Sequence, residues 1–487
     1  MKKKSLSINA FLNGLRSILN ILFPLITFPY VSRILTVNGI GIYNFSNSII
    51  SYFLLIAGLG VGTYAIREGA KFRDNKKLIS KFASEVFTIN VVSTGIAYIL
   101  LFLCLILFSK LHDYLDCILI FSLQIFFTTI GTEWIYQIYE DYFYITLRSI
   151  FFQIISIFLL FIFVRKSSDY LNYAAITVFS AVGSNILNFF NARKYCHIRL
   201  TFRFNWKLHL IPILIIFAAN IANMIYVNSD ITLLGLLKTD YVVGIYSVSS
   251  KIYQMVKSLV ASILLVTVPR LALLYGKGRK EEYKKILSKL TSTLLVLILP
   301  AAVGLFMLSK EVIIIASGIK YLRASNSLRI LCFAYVFSIL AWILTDCVLI
   351  PAKREKYVLI SMSVSAILNI LLNIILIPIW NENAAAFSTV IAELSMLVVN
   401  YHYAKDLVKD VFMSKNLGRI FITSSIGCVG IIVICLLCAW GWQSVILRMI
   451  FSIVFSVPIY ALILILLHNE IAINMLKRVK MIIGKIF

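Results

Sequence analysis

The sequence has few charged residues, and this scarcity excludes a water-soluble globular chain. Only 14% of its 487 residues are Asp, Glu, Lys or Arg, whereas about 25% is usual in soluble domains. Hydrophobic residues make up 61%, and the mean hydropathy is +0.93. No stretch is both long and polar enough to form a separate soluble domain. The composition therefore predicts an all-α polytopic membrane protein.

The residues of common catalytic and redox chemistry are scarce or dispersed. The five histidines never approach one another at metal-ligand spacing, and Cys435 and Cys438 lie on an apolar stretch, where membrane-buried side chains are expected. No phosphate-binding loop or dinucleotide glycine motif occurs, which excludes an ATP-driven motor in this chain. We therefore expect no enzyme, metal or cofactor, and an energy source in the substrate gradient, the membrane potential or a gradient of H⁺ or Na⁺.

Long apolar runs recur along the whole chain, each about 20 residues or more and long enough to cross a hydrocarbon core of about 30 Å. Asn13, Arg16 and Asn20 interrupt the first run and no small-residue cleavage site follows, so we expect an uncleaved first span rather than a signal peptide. The predicted spans are 8–30, 40–63, 83–108, 117–138, 144–164, 171–190, 210–228, 242–268, 290–308, 328–350, 357–379, 384–403, 420–440 and 444–467.

Basic residues alternate between the connections, as the positive-inside rule requires of correctly assigned spans. If the N-terminus is cytoplasmic, the inner segments carry 32 of the 46 Lys and Arg residues and the outer connections carry eight. Fourteen spans also predict that both termini are cytoplasmic. The net charge of +25 is then explained by orientation and by contact with anionic membrane lipids, not by nucleic acid.

An internal repeat divides the chain. GIYNFSNSII (Gly41 to Ile50) matches GIYSVSSKIY (Gly244 to Tyr253), and the loop NKKLISKFAS (Asn75 to Ser84) matches YKKILSKLTS (Tyr283 to Ser292). Many transporters are built from such repeats. The prediction is an N-terminal lobe of six spans (1–208), a parallel C-terminal lobe of six spans (209–410), and spans 13 and 14 with a basic cytoplasmic tail (411–487).

Polar stripes at helical spacing mark candidate binding residues within the spans. Charged side chains are costly in lipid, so they are expected to face a bundle interior or a water-filled cavity, where cations would favour an anionic substrate. Helix gluing by Asn and Ser, and snorkelling of Lys257, remain alternatives, as does a counter-ion role for the acids. The candidates are Arg16, Asn20, Asn223, Lys251, Gln254 and Lys257 for substrate, with Asp230 and Glu133 for a coupling cation.

Several motifs in order resemble a known family. They are FPYVSRILTVNGIGIYNFSNSIISYF (Phe28 to Phe53), GVGTYAIREGAKFRD (Gly60 to Asp74), TEWIYQIYEDY (Thr132 to Tyr142), YVNSDITLLGLLKTDYVVGIYSVSSKIY (Tyr226 to Tyr253) and VTVPRLALLYGKGRKEEYKK (Val266 to Lys285). Together they are similar to the Wzx-type oligosaccharide flippases, over most of residues 8–410. Spans 13 and 14 carry no matching motif.

The resemblance implies membership of the multidrug/oligosaccharidyl-lipid/polysaccharide (MOP) exporter superfamily, with two six-helix lobes in a V around a central cavity. It implies that an undecaprenyl-diphosphate-linked oligosaccharide is moved from the cytoplasmic to the outer face of the bacterial inner membrane, possible partners being a polymerase and a chain-length regulator. Arg33 and Arg67 fall on matched motif positions. The implied pathway is O-antigen, capsule or exopolysaccharide synthesis.

As a hypothesis, the diphosphate enters a hydrophilic cleft while the polyprenyl tail stays in lipid, and the chain works by alternating access. Two alternatives are a multidrug or cation antiporter of the same superfamily and a polytopic polysaccharide polymerase or ligase. Cationic drugs would favour a carboxylate-lined cavity. A polymerase typically needs a large outer loop, whereas the longest predicted outer connection is residues 309–327.

Overall fold

The computed structural model describes residues 23–474 and residue 476. All regular structure within these residues is helical, which is the expected solution for a chain in lipid because a helix satisfies its own backbone hydrogen bonds. The described residues form two units that divide between Gly244 and Ile245. The predicted all-α membrane fold is therefore confirmed, and the lobe boundary at 208/209 stays a prediction.

The first unit contains the helices that precede the division and the first turn of α11. Several begin at polar caps: Thr36 Oγ1 accepts from the Gly39 amide (2.9 Å), and Asn75 Oδ1 accepts from the amides of Lys77 and Leu78. Its helices are α1 (residues 23–34 as described), α2 (Val37–Gly58), α3 (Val61–Gly69), α4 (Lys76–Leu107), α5 (Leu115–Gly131), α6 (Glu133–Ile138), α7 (Tyr142–Phe163), α8 (Tyr170–Val182), α9 (Asn185–Asn191) and α10 (Trp206–Leu237).

The second unit contains the remaining helices. They are α11 (Asp240–Gly276), α12 (Lys280–Met307), α13 (Ser309–Ser317), α14 (Ala324–Leu344), α15 (Glu355–Trp380), α16 (Glu382–Phe412), α17 (Lys415–Gly441) and α18 (Val445–Leu466). A π-helical turn, Thr345–Leu349, extends α14.

Twelve helical stretches among the described residues are long and apolar enough to cross a membrane, from Val37–Phe72 to Val445–Leu466. The chain is thus a multi-pass membrane protein. Of the fourteen predicted spans, the first begins outside the described residues, and the eighth corresponds to α11, a helix of 37 residues. At 1.5 Å per residue α11 is about 55 Å long, which is sufficient to cross. Fourteen spans are compatible with the structure and remain a prediction.

Three predicted spans are interrupted. The sixth, predicted over 171–190, is divided between α8, which ends at Val182, and α9, which begins at Asn185. The second breaks at Leu59 and Gly60, whose φ angles are 47° and 79°. The fourth, predicted as one helix over 117–138, ends at Gly131, because Thr132 has a φ of 39° and α6 starts after it. Gly131 packs against Asn185, where an added Cβ would lie 2.5 Å from Cγ. The helical face on which Glu133 was placed therefore does not continue from α5.

The connections predicted on one side of the membrane do meet within the second unit. Arg354 pairs with Asp406 (2.6 Å) and Lys284 pairs with Asp410 (2.7 Å), which joins three predicted inner segments. Elsewhere in this unit, Arg448, near the start of the predicted span 444–467, pairs with Glu311 of the predicted outer connection 309–327 at 2.9 Å. The grouping supports the predicted alternation of loops. Which end is cytoplasmic stays a prediction.

Candidate functional site

The first predicted cationic stripe cannot be located. Arg16 and Asn20, like Asn9 and Asn13 beside them, lie outside the described residues. Their proposed contact with substrate therefore remains a prediction.

The two arginines on the matched motifs are both exposed. Arg33 lies near the end of α1. Arg67 lies on α3, where its Nε donates to Glu68 Oε1 at 3.1 Å, and Lys71 Nζ contacts the other oxygen at 2.5 Å. Exposed ion pairs of this kind contribute at most about 1 kcal/mol. Such a weak pair would exchange easily for an anionic ligand, so the geometry leaves Arg67 available for binding.

Glu133 begins α6 and faces a buried arginine on α7. Its Oε2 lies 3.8 Å from Arg148 Nη2, and Gln137 donates to its other oxygen at 3.1 Å. The Arg148 side chain is only 7% exposed, so it does not snorkel to the surface of the protein. The structure thus assigns Glu133 a cationic partner that the sequence did not suggest. Its proposed role in binding a coupling cation remains untested.

Asn223 and Asp230 lie on α10 in different surroundings. Asn223 is exposed, whereas Asp230 is buried. Close to Asp230 along the helix, Thr232 donates to Ser48 Oγ and shares a hydrogen bond with Tyr52, both at 3.2 Å. Asp230 is therefore next to a hydroxyl cluster that joins α10 to α2.

Three predicted residues follow one another along α11. Gln254 is exposed and its amide reaches Ser250 Oγ at 3.5 Å. Lys251 is partly buried, and its side chain forms no hydrogen bond or ion pair with the described residues. Lys257, by contrast, is held on several sides.

The best-defined ionic site in the second unit is formed by Lys257 and Glu393. Lys257 Nζ lies 2.8 Å from Glu393 Oε1, and the two side chains are 14% and 3% exposed. Tyr253 donates to the same carboxylate oxygen at 2.9 Å. The ammonium also lies 4.6 Å from the Trp342 ring centroid, within the range of a cation–π interaction. Lys257 is thus largely buried and paired within the protein, which favours a binding site over snorkelling.

Glu393 and Trp342 were missed in the sequence. A signal for Glu393 existed, because it is an acidic residue in the middle of the twelfth predicted span, where an ionisable residue suggests a functional site. Its pairing with Lys257 bridges 136 residues, which helical spacing cannot reveal.

The predicted residues are divided between the two units. Arg33, Arg67, Glu133, Asn223 and Asp230 belong to the first unit, whereas Lys251, Gln254 and Lys257 belong to the second. Within the described ranges, no group of three or more His, Cys, Asp or Glu residues could hold a metal ion. The site in the second unit is instead built from charged side chains. A largely buried ammonium is held by a carboxylate, and other basic residues lie near it in sequence.

Comparison with solved structures identifies the fold. A structure titled "Lipid II flippase MurJ, inward closed conformation" superposes with a TM-score of 0.70 over 95% of this chain and 99% of that chain, at 17% identity. A MATE family multidrug resistance transporter of the MOP superfamily, in an inward-facing conformation, gives a TM-score of 0.63 over 81% and 96%, at 13% identity. These similarities indicate a shared fold.

Two curated proteins match part of the chain. The "Putative O-antigen transporter" of Escherichia coli (strain K12) is 31% identical over 151 residues, 31% of this chain and 36% of that protein. The "Probable low-salt glycan biosynthesis flippase Agl15" of Haloferax volcanii (strain ATCC 29605 and its equivalents) is 22% identical over 208 residues, 43% of this chain and 44% of that protein. The chain therefore aligns with less than half the length of either relative.

Family profiles cover more of the sequence. The MatE profile matches residues 216–375. The profile described as "Polysaccharide biosynthesis protein" matches residues 6–274, more than half of the chain. The predicted relation to Wzx-type flippases and the MOP superfamily is confirmed at the level of family and fold. The chain belongs to the polysaccharide biosynthesis protein family.

Proposed function

We propose that this chain is a flippase. It translocates undecaprenyl-diphosphate-linked oligosaccharide repeat units from the cytoplasmic to the outer face of the bacterial inner membrane, for surface polysaccharide synthesis. Its family, its membrane helices and the names of its partial relatives support the proposal. Both termini would be cytoplasmic, and a polymerase and a chain-length regulator of the same pathway would be its partners.

The observation that carries the proposal is the buried Lys257–Glu393 pair. Moving charges out of water is costly, and hydrophobic residues of similar volume often serve stability equally well. An ammonium and a carboxylate on membrane helices are therefore expected where function needs them. A diphosphate is the kind of ligand that would attract this ammonium away from the carboxylate, because phosphate oxygens form strong charge-assisted hydrogen bonds.

In the proposed mechanism the cations bind the diphosphate in turn. Arg33 and Arg67, which are exposed, would meet it near the surface, and Arg16, Lys251 and Lys257 would bind it within the spans. The amides of Asn20, Asn223 and Gln254 can donate to and accept from sugar hydroxyls. The lipid tail stays in the bilayer throughout, since exposing it to a water-filled cavity would be unfavourable.

Coupling would follow from an exchange of partners. When the diphosphate takes Lys257, the Glu393 carboxylate keeps only the Tyr253 hydroxyl and gains affinity for H⁺ or Na⁺. Asp230 and Glu133 are the corresponding candidates in the first unit. Release of the substrate on the outer face leaves Glu393 open to a cation from that side. The cation is carried to the cytoplasmic face and leaves when Lys257 pairs with Glu393 again, which resets alternating access.

The test is made in the host of the gene. The gene is deleted, and the lipid-linked repeat units on each face of the inner membrane are measured after complementation with wild type, Lys257→Gln or Glu393→Gln. Lys289→Gln, which changes an exposed lysine of α12, is the matched control. We expect accumulation on the cytoplasmic face with both site variants, as with Arg16→Ala and Lys251→Ala, when each variant is expressed to the wild-type level of protein in the membrane. Normal sidedness in both site variants, in a host without a second flippase, would refute the mechanism.

A cation antiporter is the second candidate, because the MatE profile matches residues 216–375, which include Lys257 but not Glu393. This alternative predicts that deletion leaves the sidedness of lipid-linked glycan unchanged and raises sensitivity to cationic drugs. Measuring both phenotypes in one deletion strain separates the two functions.

A further inference from the structure

An apolar groove lies within the second unit, and none of its lining residues belongs to the Lys257 site. Its volume is about 490 Å³, and it lies among α12, α14, α16 and α17. Apart from Thr291 and Tyr401, its lining is apolar or glycine. Along α16 the lining runs from Leu397 to Phe412, about 22 Å at 1.5 Å per residue. One leaflet of the hydrocarbon core is about 15 Å thick, so the groove is long enough for an acyl chain.

The groove contains open space where a side chain could have closed it. Gly418 of α17 lines it, and a Cβ added there would meet nothing within 4 Å. Leu417 and Phe421, on the same helix, contribute its wall. Because α17 crosses the membrane, a void of this size facing hydrocarbon would be filled by lipid and not by water.

The end of the groove near Phe412 and Leu417 is basic. Lys409 lies three residues before Phe412, and Lys415 and Arg419 are helical neighbours on either side of Gly418; all three are exposed. The side chains of Lys415 and Arg419 form no hydrogen bond or ion pair with the described residues. Nearby acids are engaged: Asp410 pairs with Lys284, and Glu470 accepts from Asn416.

We propose that this groove binds an anionic phospholipid, with one acyl chain along α16 and the headgroup phosphate at Lys415 and Arg419. The charge of the rim identifies the occupant. The acyl chain of a zwitterionic lipid would also fill the groove, but its headgroup has no net negative charge to balance the three cations. The bound lipid fills the space between α17 and the neighbouring α14 and α16, and so stabilises the packing of α17. This site is separate from the proposed flippase substrate site.

The test uses the full-length purified chain in mixed micelles containing phosphatidylglycerol or phosphatidylcholine. Native mass spectrometry measures retained lipid, and thermal unfolding measures its effect. We expect one retained phosphatidylglycerol and a higher unfolding temperature than in phosphatidylcholine. Gly418→Leu should abolish both effects by filling the groove. Gly95→Leu, at an equally open glycine of α4, should change neither.

A charge variant provides independent support. Lys415→Gln with Arg419→Gln should weaken phosphatidylglycerol binding about thirty-fold, from the known attraction of each basic residue to an anionic surface. Lys77→Gln with Lys81→Gln, an equivalent exposed pair on α4, is the matched control. Equal retention of both lipids, or unchanged binding in the Lys415/Arg419 variant, would overturn the proposal, and so would unchanged binding in Gly418→Leu.

Discussion

Removing Lys257 should destabilise the protein more than removing Glu393. With Lys257→Gln, Glu393 remains 3% exposed and, of its contacts with the described residues, keeps the Tyr253 hydroxyl at 2.9 Å. Breaking a buried ion pair from one side costs about 3–5 kcal/mol. With Glu393→Gln, the ammonium retains the Trp342 and Tyr253 rings, at 4.6 and 5.6 Å. Cation–π contacts contribute about 0.5–2 kcal/mol, so we expect this variant to be about 1 kcal/mol less destabilised.

The assay is a double-mutant cycle, with the free energy of unfolding measured by denaturant titration in mixed micelles. The double variant should lose about 1–3 kcal/mol less than the sum of the single variants, because the residues are in direct contact. The Lys284–Asp410 pair, at 2.7 Å but largely exposed, is the control and should couple by less than about 1 kcal/mol. Additive losses at Lys257 and Glu393, within about 0.5 kcal/mol, would refute the assignment of a buried pair.

Three other outcomes are expected. Gly41→Ala should lower the free energy of unfolding by about 1–3 kcal/mol or more, because its Cβ would lie 1.9 Å from the Asp240 carbonyl oxygen. Gly62→Ala, where the added Cβ meets open space, should not lower it. Unfolding measurements on both variants test this difference. In a variant that keeps only Cys196, this thiol should resist labelling by maleimide at pH 7.5, because burial raises its pKa to about 12. A cysteine introduced at the exposed position of Lys194 should be labelled under the same conditions. Backbone amides of Lys166 and Arg165 hold the pKa of Asp169 below its usual value, so the turn they form is stable at neutral pH and weakens as the pH falls through that lowered pKa. The protection factors of residues 165–169 against hydrogen exchange, corrected for the intrinsic pH dependence, should fall in acid. Asp169→Ala should speed trypsin cleavage there at pH 8.

Composition and spacing were sufficient to predict the helical membrane fold, whereas the family was identified from the resemblance of its motifs. Apolar runs are local signals, and the alternation of basic loops tests their assignment over the whole chain. The structure supports that alternation at the ion pairs of Arg354 and Lys284. The breaks at Gly60 and Thr132 were not predictable, since each depends on packing against a distant helix rather than on the local hydrophobic pattern.

The partners of charged residues could not be predicted, for the same reason. His209 looked isolated, yet its Nδ1 lies 2.8 Å from the Tyr64 hydroxyl and its Nε2 lies 3.0 Å from Glu85. These contacts join residues 145 and 124 positions apart. Glu393 and Arg148 follow the same pattern. Sequence periodicity tells which face of one helix is polar, but not which other helix supplies the counter-charge.

The internal repeat, in contrast, has a direct structural cause. A Cβ on Gly244 would lie 2.1 Å from the Val37 carbonyl oxygen, as one on Gly41 would lie 1.9 Å from that of Asp240. Each glycine therefore meets the residue four positions before the other glycine, so the starts of α2 and α11 cross with approximate two-fold symmetry. Such close backbone contact excludes any side chain at either position. The glycine is thus retained in both copies by packing. Function is expected to diverge at positions that distinguish the copies, such as Lys251 in one and Ser48 in the other.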